Sequence, residues 1–560
     1  MSMPICNSSL RVVVFYLLLF FPVLVFANDE VLEPGTDQVL AYENPSLFSL
    51  IDAGRIDGVR LGYKDDFSTF YQGRHGAFLW VRDGRFTSDA RDVFGLIQDS
   101  WQHGLNPDNY HRMELASLMG ERFADGLASA KAELLMGDAA VRYGRDISGM
   151  RLSAKTLEAD PSSWSRGVMV SSLLDIMAQS RDPERVLEML APQDRVYKAL
   201  QQELKRVLKE YDEHAKSGVT KFSLVGLLRP GERNPAVVSL RDKMGQKSPR
   251  QDADLYDGDL QKSVMAFQKA RGLMPDGVIG PRTVIAINEG PRERLIKVLA
   301  NLERRRWVKR PMPSRYVEVN IPAMWLKAVE GNDVAFDMPI VVGRKKRPTM
   351  SFVDDIVGIR FNPSWYVPDT IKKEDYLPEL QKDPQALAEK GIAFRVRAED
   401  GSGLQTVAPE DIDWANMTAA DLKSVQMVQG PGAANALGQI RVLMPNRYDI
   451  YLHDTNMPSL FKKDDRAQSS GCMRMSEPQR MANFILGHNQ GWSNDRLEYY
   501  LQKAKTLEIK AELPTPVYIF YYTIWEGTDG KLIFGNDIYG LDKDLVNVLK
   551  SNGKVNFPMI

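Results

Sequence analysis

At 560 residues the chain is too long for one hydrophobic core, so roughly three to four domains are expected. Its 72 basic and 73 acidic residues nearly cancel, which argues against a dedicated nucleic-acid binder. A 44% hydrophobic and 26% charged composition also argues against wholesale disorder.

The chain opens with Arg11, a continuous apolar run from Val12 to Phe26, and Ala27. This is the pattern of a secretory signal peptide over 1–27, and its apolar core falls short of the ~20 residues that span a bilayer comfortably. An uncleaved inner-membrane anchor is the alternative, because Arg11 is the single basic residue before the run and Phe26 is bulky near the cut. No later segment reads as transmembrane, so an exported, soluble body with no stable membrane insertion is expected after cleavage. An acidic leader, Asn28 to Tyr42, follows.

Helical periodicity then dominates to about residue 215, giving an α-helical scaffold domain over 28–215. Ser88 to Arg91 opens a helix with Val93, Leu96, Ile97 and Trp101 on one face. Ala130 to Tyr143 is a second amphipathic helix. Asp194 caps a third, carrying Val196, Leu200, Leu204, Val207, Leu208 and Tyr211 at steps of three and four. His75, His103 and His111 are scattered without metal-ligand spacing and read as structural.

Residues 234–290 form a compact helical unit. Val237 to Arg241 and Leu260 to Gln268 are helical, Gly272 ends the second helix, and a Gly-rich loop leads to a helix opened by Pro281. The stretch FQKARGLMPDGVIGPRT resembles the three-helix peptidoglycan-binding module over about 55 residues. That resemblance implies affinity for cell-wall glycopeptide, or a structural or gating role. Over 291–312 a basic helix, with Leu295, Val298, Leu299 and Leu302 on one face, is expected to return to the scaffold. Its Arg304-Arg305-Arg306 run reads as a solvated face.

Beyond Pro313 the period becomes two. Tyr316 to Ile321 and Met324 to Val329 form a hairpin, and strands follow at Phe336–Val342, Ile356–Phe361, Gln439–Met444 and Asp449–Leu452. This catalytic domain, over 313–525, is expected to be mainly β, a sandwich or small barrel. Residues 368–424 turn polar and helical and interrupt it, which marks an inserted cap beside an active site. Val517 to Thr523 and Leu532 to Phe534 are expected to pair as a hairpin that finishes the sheet, leaving 526–560 as hairpin and tail. The fold class is therefore multidomain α+β.

Chemistry concentrates in Ser469-Ser470-Gly471-Cys472-Met473-Arg474, with His453 nineteen positions upstream at a strand end. With Cys6 in the leader, Cys472 has no partner for an internal disulfide, and its polar setting suits an activatable thiolate. A histidine within reach lowers a thiol pKa from about 8.5 and carries the proton of a leaving amine. Gly471 frees the backbone near the sulfur, main-chain N–H groups there can stabilise an oxyanion, and Arg474 pairs with a substrate carboxylate or braces the loop. One Cys and one His make half a zinc site at best, so no metal and no cofactor are expected.

His453-Asp454-Thr455 followed by Ser469-Ser470-Gly471-Cys472-Met473-Arg474 resembles the L,D-transpeptidase motif, His-x-Thr before Ser-x-Gly-Cys-x-Arg. With Asn435-Ala436-Leu437-Gly438 as the small-residue turn upstream, the likeness runs from about Tyr316 to Tyr522. With its scaffold, module and cap, the chain resembles the large periplasmic L,D-transpeptidases of Gram-negative bacteria. The resemblance implies a periplasmic acyltransferase with Cys472 as nucleophile and His453 as proton carrier. Its expected partners are tetrapeptide stems of peptidoglycan, and other wall-synthesis proteins; nucleic acid is not among them. Acceptors can be a second stem, water or a protein lysine, and carbapenems are expected to acylate Cys472. Gly471, Ser469, Ser470, Met473 and Arg474 are expected to support the loop, and Trp365, Tyr366, Asp454 and Thr455 are candidates for the substrate groove. A carbonyl near His453, rather than the Asp454 side chain, is expected to fix the imidazole tautomer.

Overall fold

The computed structural model describes residues 44–157, 159–214, 221–247, 251–398, 400–503 and 505–557. The expected signal peptide, the acidic leader and Cys6 lie outside them. No helix among the described residues is long and apolar enough to cross a membrane.

The helical domain is built round helix α1 (Ser88–Gln98), α2 (Gly126–Ser148) and α3 (Arg195–His214). Thr87 caps α1 through the Ala90 N–H, and Asp125 caps α2 through the Ala128 N–H. The three-helix unit follows as α4 (Ala236–Lys243), α5 (Gly258–Ala270) and α6 (Pro281–Ile287). Its own small core includes Phe222 and Leu228, so it begins upstream of residue 234.

Helix α7 (Pro291–Trp307) then re-enters the first domain. Leu295, Val298, Leu299 and Leu302 are buried in the same apolar cluster as Leu200, Leu204 and Val207 of α3. The arginine run at its end is a correction to the solvated-face reading. Arg306 is fully buried and bonds Glu303 at 2.5 Å, while Arg151 reaches the same carboxylate at 2.7 Å. Arg304 pairs with buried Asp542, and Arg305 lies 4.6 Å over the Tyr522 ring. Charge runs are usually solvated, but here the acidic partners, Asp194, Asp542 and Glu303, lie more than 100 positions away or one turn back, invisible to a linear scan.

The catalytic region is a closed barrel. Its strands are β1 (Arg315–Asn320), β2 (Trp325–Glu330), β3 (Asp333–Gly343) and β4 (Phe352–Phe361). A cap follows with β5 (Trp365–Tyr366), β6 (Ile392–Arg397), β7 (Leu404–Val407) and β8 (Gln426–Gln429). The barrel resumes with β9 (Ile440–Leu443), β10 (Leu452–His453), β11 (Ala467–Ser469), β12 (Met473–Met475) and β13 (Leu507–Phe520). Strand order runs β3-β12-β10-β9-β4-β13-β1-β2, and β2 pairs back onto β3 to close the ring, with β11 parallel beside the end of β3.

Three sequence expectations change here. The insertion is not simply helical, because β7-β6-β8-β5 form a sheet over a separate core of Trp365, Leu380, Leu387, Phe394, Trp414 and Met427. Its six-residue strand IAFRVR is too short for alternation to stand out among charged neighbours. Second, Val517–Phe520 belong to the central strand β13, and the hairpin is β14 (Ile524–Glu526) with β15 (Leu532–Phe534). Third, the tail carries helix α8 (Leu541–Ser551), whose Leu545, Val546 and Leu549 enter the helical-domain core. Tyr518, Phe520 and Tyr522 of the barrel wall join that core too, so scaffold and barrel share one apolar interior.

Candidate active site

Strand alternation decides what faces the cleft. Leu452, Met473 and Met475 point into the barrel core, so Tyr451, His453, Cys472 and Arg474 point outward together. Parallel pairing of Leu452 with Met473 and His453 with Arg474 sets the register, tied by the Met473 N–H on Tyr451 O at 2.9 Å. Residues nineteen apart thereby become neighbours.

These four side chains floor a cleft of about 500 Å³ roofed by the cap, whose Trp365, Tyr376 and Lys390 line its far side. The cap is fastened to the floor by Arg347. Its guanidinium bonds Asp375 at 2.6 Å and Glu374 at 2.7 Å on the cap, and Ser470 Oγ at 3.0 Å on the Cys472 loop.

The loop round Cys472 is held from several sides. Ser469 Oγ donates to Cys472 O at 2.6 Å and accepts the Gly471 N–H at 3.2 Å. Thr349 Oγ1 donates to Gly471 O at 2.7 Å. Gly471 sits at φ +117°, a backbone angle that a side chain disfavours. Met473 is in the barrel core rather than on the loop surface. The Cys472 N–H has no described partner, which leaves it available as an oxyanion donor.

His453 is 4% exposed and its Nδ1 lies 2.5 Å from Asp454 O. With Nδ1–H donating to that carbonyl, Nε2 keeps the ring's free lone pair. The Asp454 carboxylate instead accepts the Gln439 N–H at 2.8 Å and the Thr455 N–H at 2.7 Å. A Cβ on Gly438 (φ +59°) would strike that carboxylate, which explains the small-residue turn.

The electrostatics differ from the sequence expectation. Burial pushes the Cys472 thiol above its ordinary value, against hydrogen bonds from Tyr451 and the charge of Arg441. Burial, with Arg474 next, lowers His453 to about 3. At rest the pair is a neutral thiol and a neutral imidazole, because desolvation outweighs any mutual stabilisation of charge. The sulfur is turned toward Asp449 O at 3.8 Å, and no described hydrogen bond joins it to His453.

Of the groove candidates, Trp365 lines the cleft, whereas Tyr366 alternates outward and is 55% exposed. Neither Asp454 nor Thr455 lines it; Thr455 Oγ1 accepts from Arg474 Nη1 at 3.4 Å. Sequence reasoning missed Tyr451, Arg441 and Arg347. Tyr451 was legible as the alternate residue before His453. Arg441, 3.8 Å over the Tyr451 ring and in register with His453, left no local signal, nor did Arg347. Outside the cleft, His103 meets Tyr197 Oη at 3.0 Å, His111 meets Asp138 at 2.7 Å, and His488 stands 3.3 Å from Glu330. No group of three or more His, Cys, Asp or Glu among the described residues is placed to hold a metal ion.

Comparison with known proteins is consistent with this division of the chain. Residues 314–519 match the L,D-transpeptidase catalytic domain, 242–287 a candidate peptidoglycan binding domain and 65–204 a scaffold domain. A Haemophilus influenzae protein, named as a candidate L,D-transpeptidase, is 31% identical over 227 residues. That alignment covers 40% of this chain and 44% of the relative, so the chain spans under half of that protein's length. An L,D-transpeptidase from Xylanimonas cellulosilytica is 14% identical, covering 55% of this chain and all of that one at a TM-score of 0.19. One from Stackebrandtia nassauensis is 10% identical, covering 54% and 97% at 0.19, and such low scores say nothing of this chain's shape. Residues 314–519 thus match the L,D-transpeptidase catalytic domain, in a chain that also matches a scaffold domain and a peptidoglycan binding domain.

Proposed function

We propose that the protein is an acyltransferase of the bacterial cell wall that acts on peptidoglycan stem peptides through Cys472. The observation that carries this is a lone thiol sharing one capped cleft with a neutral, tautomer-fixed histidine and an arginine that no described carboxylate neutralises. A tetrapeptide stem enters with its diaminopimelate–D-Ala bond over the sulfur. As Sγ attacks the carbonyl carbon, its proton passes to His453 Nε2 and the carbonyl π pair becomes an oxyanion held by the Cys472 N–H. Collapse breaks the C–N bond, the departing D-Ala amine takes the proton from His453, and a thioester remains. An amine of a second stem then attacks the thioester, gives its proton to His453, and Cys472 leaves to be reprotonated. The product is a 3→3 cross-link.

Neutral resting partners suit this cycle, since charge separation is needed only once substrate has displaced water from the cleft. Arg474 is the candidate dock for a stem carboxylate. Residues 1–27 fit export to the compartment where such stems occur. Water as acceptor would make the same site an L,D-carboxypeptidase.

The test is intact-protein mass spectrometry with a carbapenem, beside Cys472→Ala. A stable adduct on the parent and none on the variant is expected, and disaccharide-tetrapeptides should then yield cross-linked dimer in excess of tripeptide. Folded parent without adduct would leave a wall-binding scaffold with an idle site. Adduct with tripeptide alone would make the protein a hydrolase.

A further inference from the structure

The resemblance of the three-helix module suggests a grip on wall glycan, yet its signature loop is occupied by the protein itself. Met274 N–H donates to Asp464 Oδ1 at 2.8 Å, and Arg282 Nη1 reaches the same oxygen at 3.1 Å and also the Asp464 main-chain oxygen. Arg282 is in turn held by Asn536 Nδ2 on its carbonyl at 3.1 Å. Asp464 lies on the segment that joins His453 to Cys472.

That segment is otherwise held by a short 3-10 turn at Pro458–Lys462 and by Asn456 Nδ2 on Ala434 O at 2.9 Å. Residues 456–459 are exposed, and Leu460 is its buried apolar anchor before the chain reaches Arg466. Arg466 plugs into the barrel through Ile340 O and Met324 O, both at 3.2 Å, and β11 then delivers Ser469, whose hydroxyl fixes Cys472 O. The stretch between that turn and Arg466 still has conformations to lose, so a clamp on both the side chain and the main chain of Asp464 removes part of that freedom. The ion pair is largely shielded, with side chains 15% and 29% exposed, which sets it apart from a solvated surface pair.

We propose that Arg282 and Asp464 are positioning residues for the Cys472–His453 pair, the module acting in cis as a strut for the catalytic loop. This rests on the transpeptidase reading only for the meaning of the pair, not for the geometry of the strut. It predicts that breaking the clamp separates two properties of Cys472. Acylation, which needs the sulfur aligned with its acceptor carbon, slows; plain accessibility of the thiol rises as the loop loosens.

The experiment uses the full chain, Arg282→Ala, and Arg282→Lys, which keeps a cationic donor for Asp464. Three quantities are read: carbapenem acylation rate, the pH profile of Cys472 alkylation by iodoacetamide resolved by peptide mass, and the melting temperature. Arg282→Ala is expected to acylate about 10- to 100-fold more slowly. Its alkylation limb should move down toward that of an ordinary thiol at unchanged melting temperature, and Arg282→Lys should recover part of both. Parent-like acylation and alkylation in Arg282→Ala would overturn the proposal. So would a loss that tracks a fallen melting temperature and is not recovered by Arg282→Lys. If the parent itself resists the carbapenem, the transpeptidase reading fails, and the alkylation limb alone still decides whether the strut exists.

Discussion

Buried or half-buried arginines occur in two regions of this molecule and in two electrostatic conditions. At the end of α7, Arg306 and Arg151 share the carboxylate of Glu303, whose second oxygen accepts Trp307 Nε1 at 3.0 Å. Although burial alone would raise it, the two guanidinium groups hold Glu303 down at about 2. Arg474 at the cleft and Arg441 against the Tyr451 ring meet no carboxylate among the described residues; the first has a long contact to Thr455, the second a tyrosine face. A shielded cation without a counterion costs folding energy, so its retention points to a charge that arrives from outside. The paired set is architecture, and on the proposed function the unpaired set awaits an anion.

The largest effect should come from breaking the paired set. Glu303→Ala leaves Arg151 and Arg306 buried without their anion, and a loss of about 3–5 kcal/mol is expected in urea or thermal unfolding. A change under about 1 kcal/mol would show that water reaches the site and that the contrast is weaker than drawn. Arg474→Met should do the reverse. Stability should hold or rise, while turnover of stem peptides falls about 10- to 100-fold, the worth of one charge-assisted contact. If Arg474→Met instead melts early with turnover intact, Arg474 braces the loop and docks nothing.

Histidines sharpen the same comparison with a smaller effect. His103 lies in the paired region, where burial and then Arg306 lower it to about 3; His453 at the cleft is lowered to about 3 by burial and Arg474. Both folded values lie below the ordinary 6.5, so protonation favours the unfolded chain. The resulting stability is present above pH 6.5 and drains away as pH falls from there toward about 3. Relative to His103→Gln, the parent should therefore lose about 1.4 kcal/mol for each pH unit below 6.5. Parallel stability curves for the two proteins would mean that His103 is solvated and the packing round Tyr197 is looser than described.

How much of this was legible depended on whether the signal was local. Cys472, His453 and the FQKARGLMPDGVIGPRT stretch carry their chemistry in consecutive residues, and the barrel strands alternate strongly enough to be read at Phe336–Val342 and Ile356–Phe361. Helix α8 was missed although Leu541, Leu545, Val548 and Leu549 repeat at helical steps, because it was read as tail behind a hairpin placed one strand too early. The Arg304–Arg306 run was misread for a deeper reason. Its solvation is decided by Glu303, Asp542 and Tyr522, which only the fold brings together. The same holds for the thiol: a Cys–His spacing reports proximity, but burial sets which protonation state the pair rests in.

Arg347 stands between the two conditions, and its substitution should have the smallest and most selective effect. It is paired, with Asp375 and Glu374, but the pairing crosses from the barrel to the cap and ends on Ser470, two residues before Cys472. If that bridge only stabilises, Arg347→Ala should lower the melting temperature slightly and leave the products alone. If it keeps the cap seated so that water stays out of the acyl-enzyme, the variant should still acylate, and its tripeptide-to-dimer ratio should rise a few-fold. Product analysis on disaccharide-tetrapeptide separates the two, since acylation precedes the choice of acceptor and the ratio depends on what reaches the thioester. An unchanged ratio with normal acylation would assign the bridge to architecture and remove the cap from the control of acceptor choice.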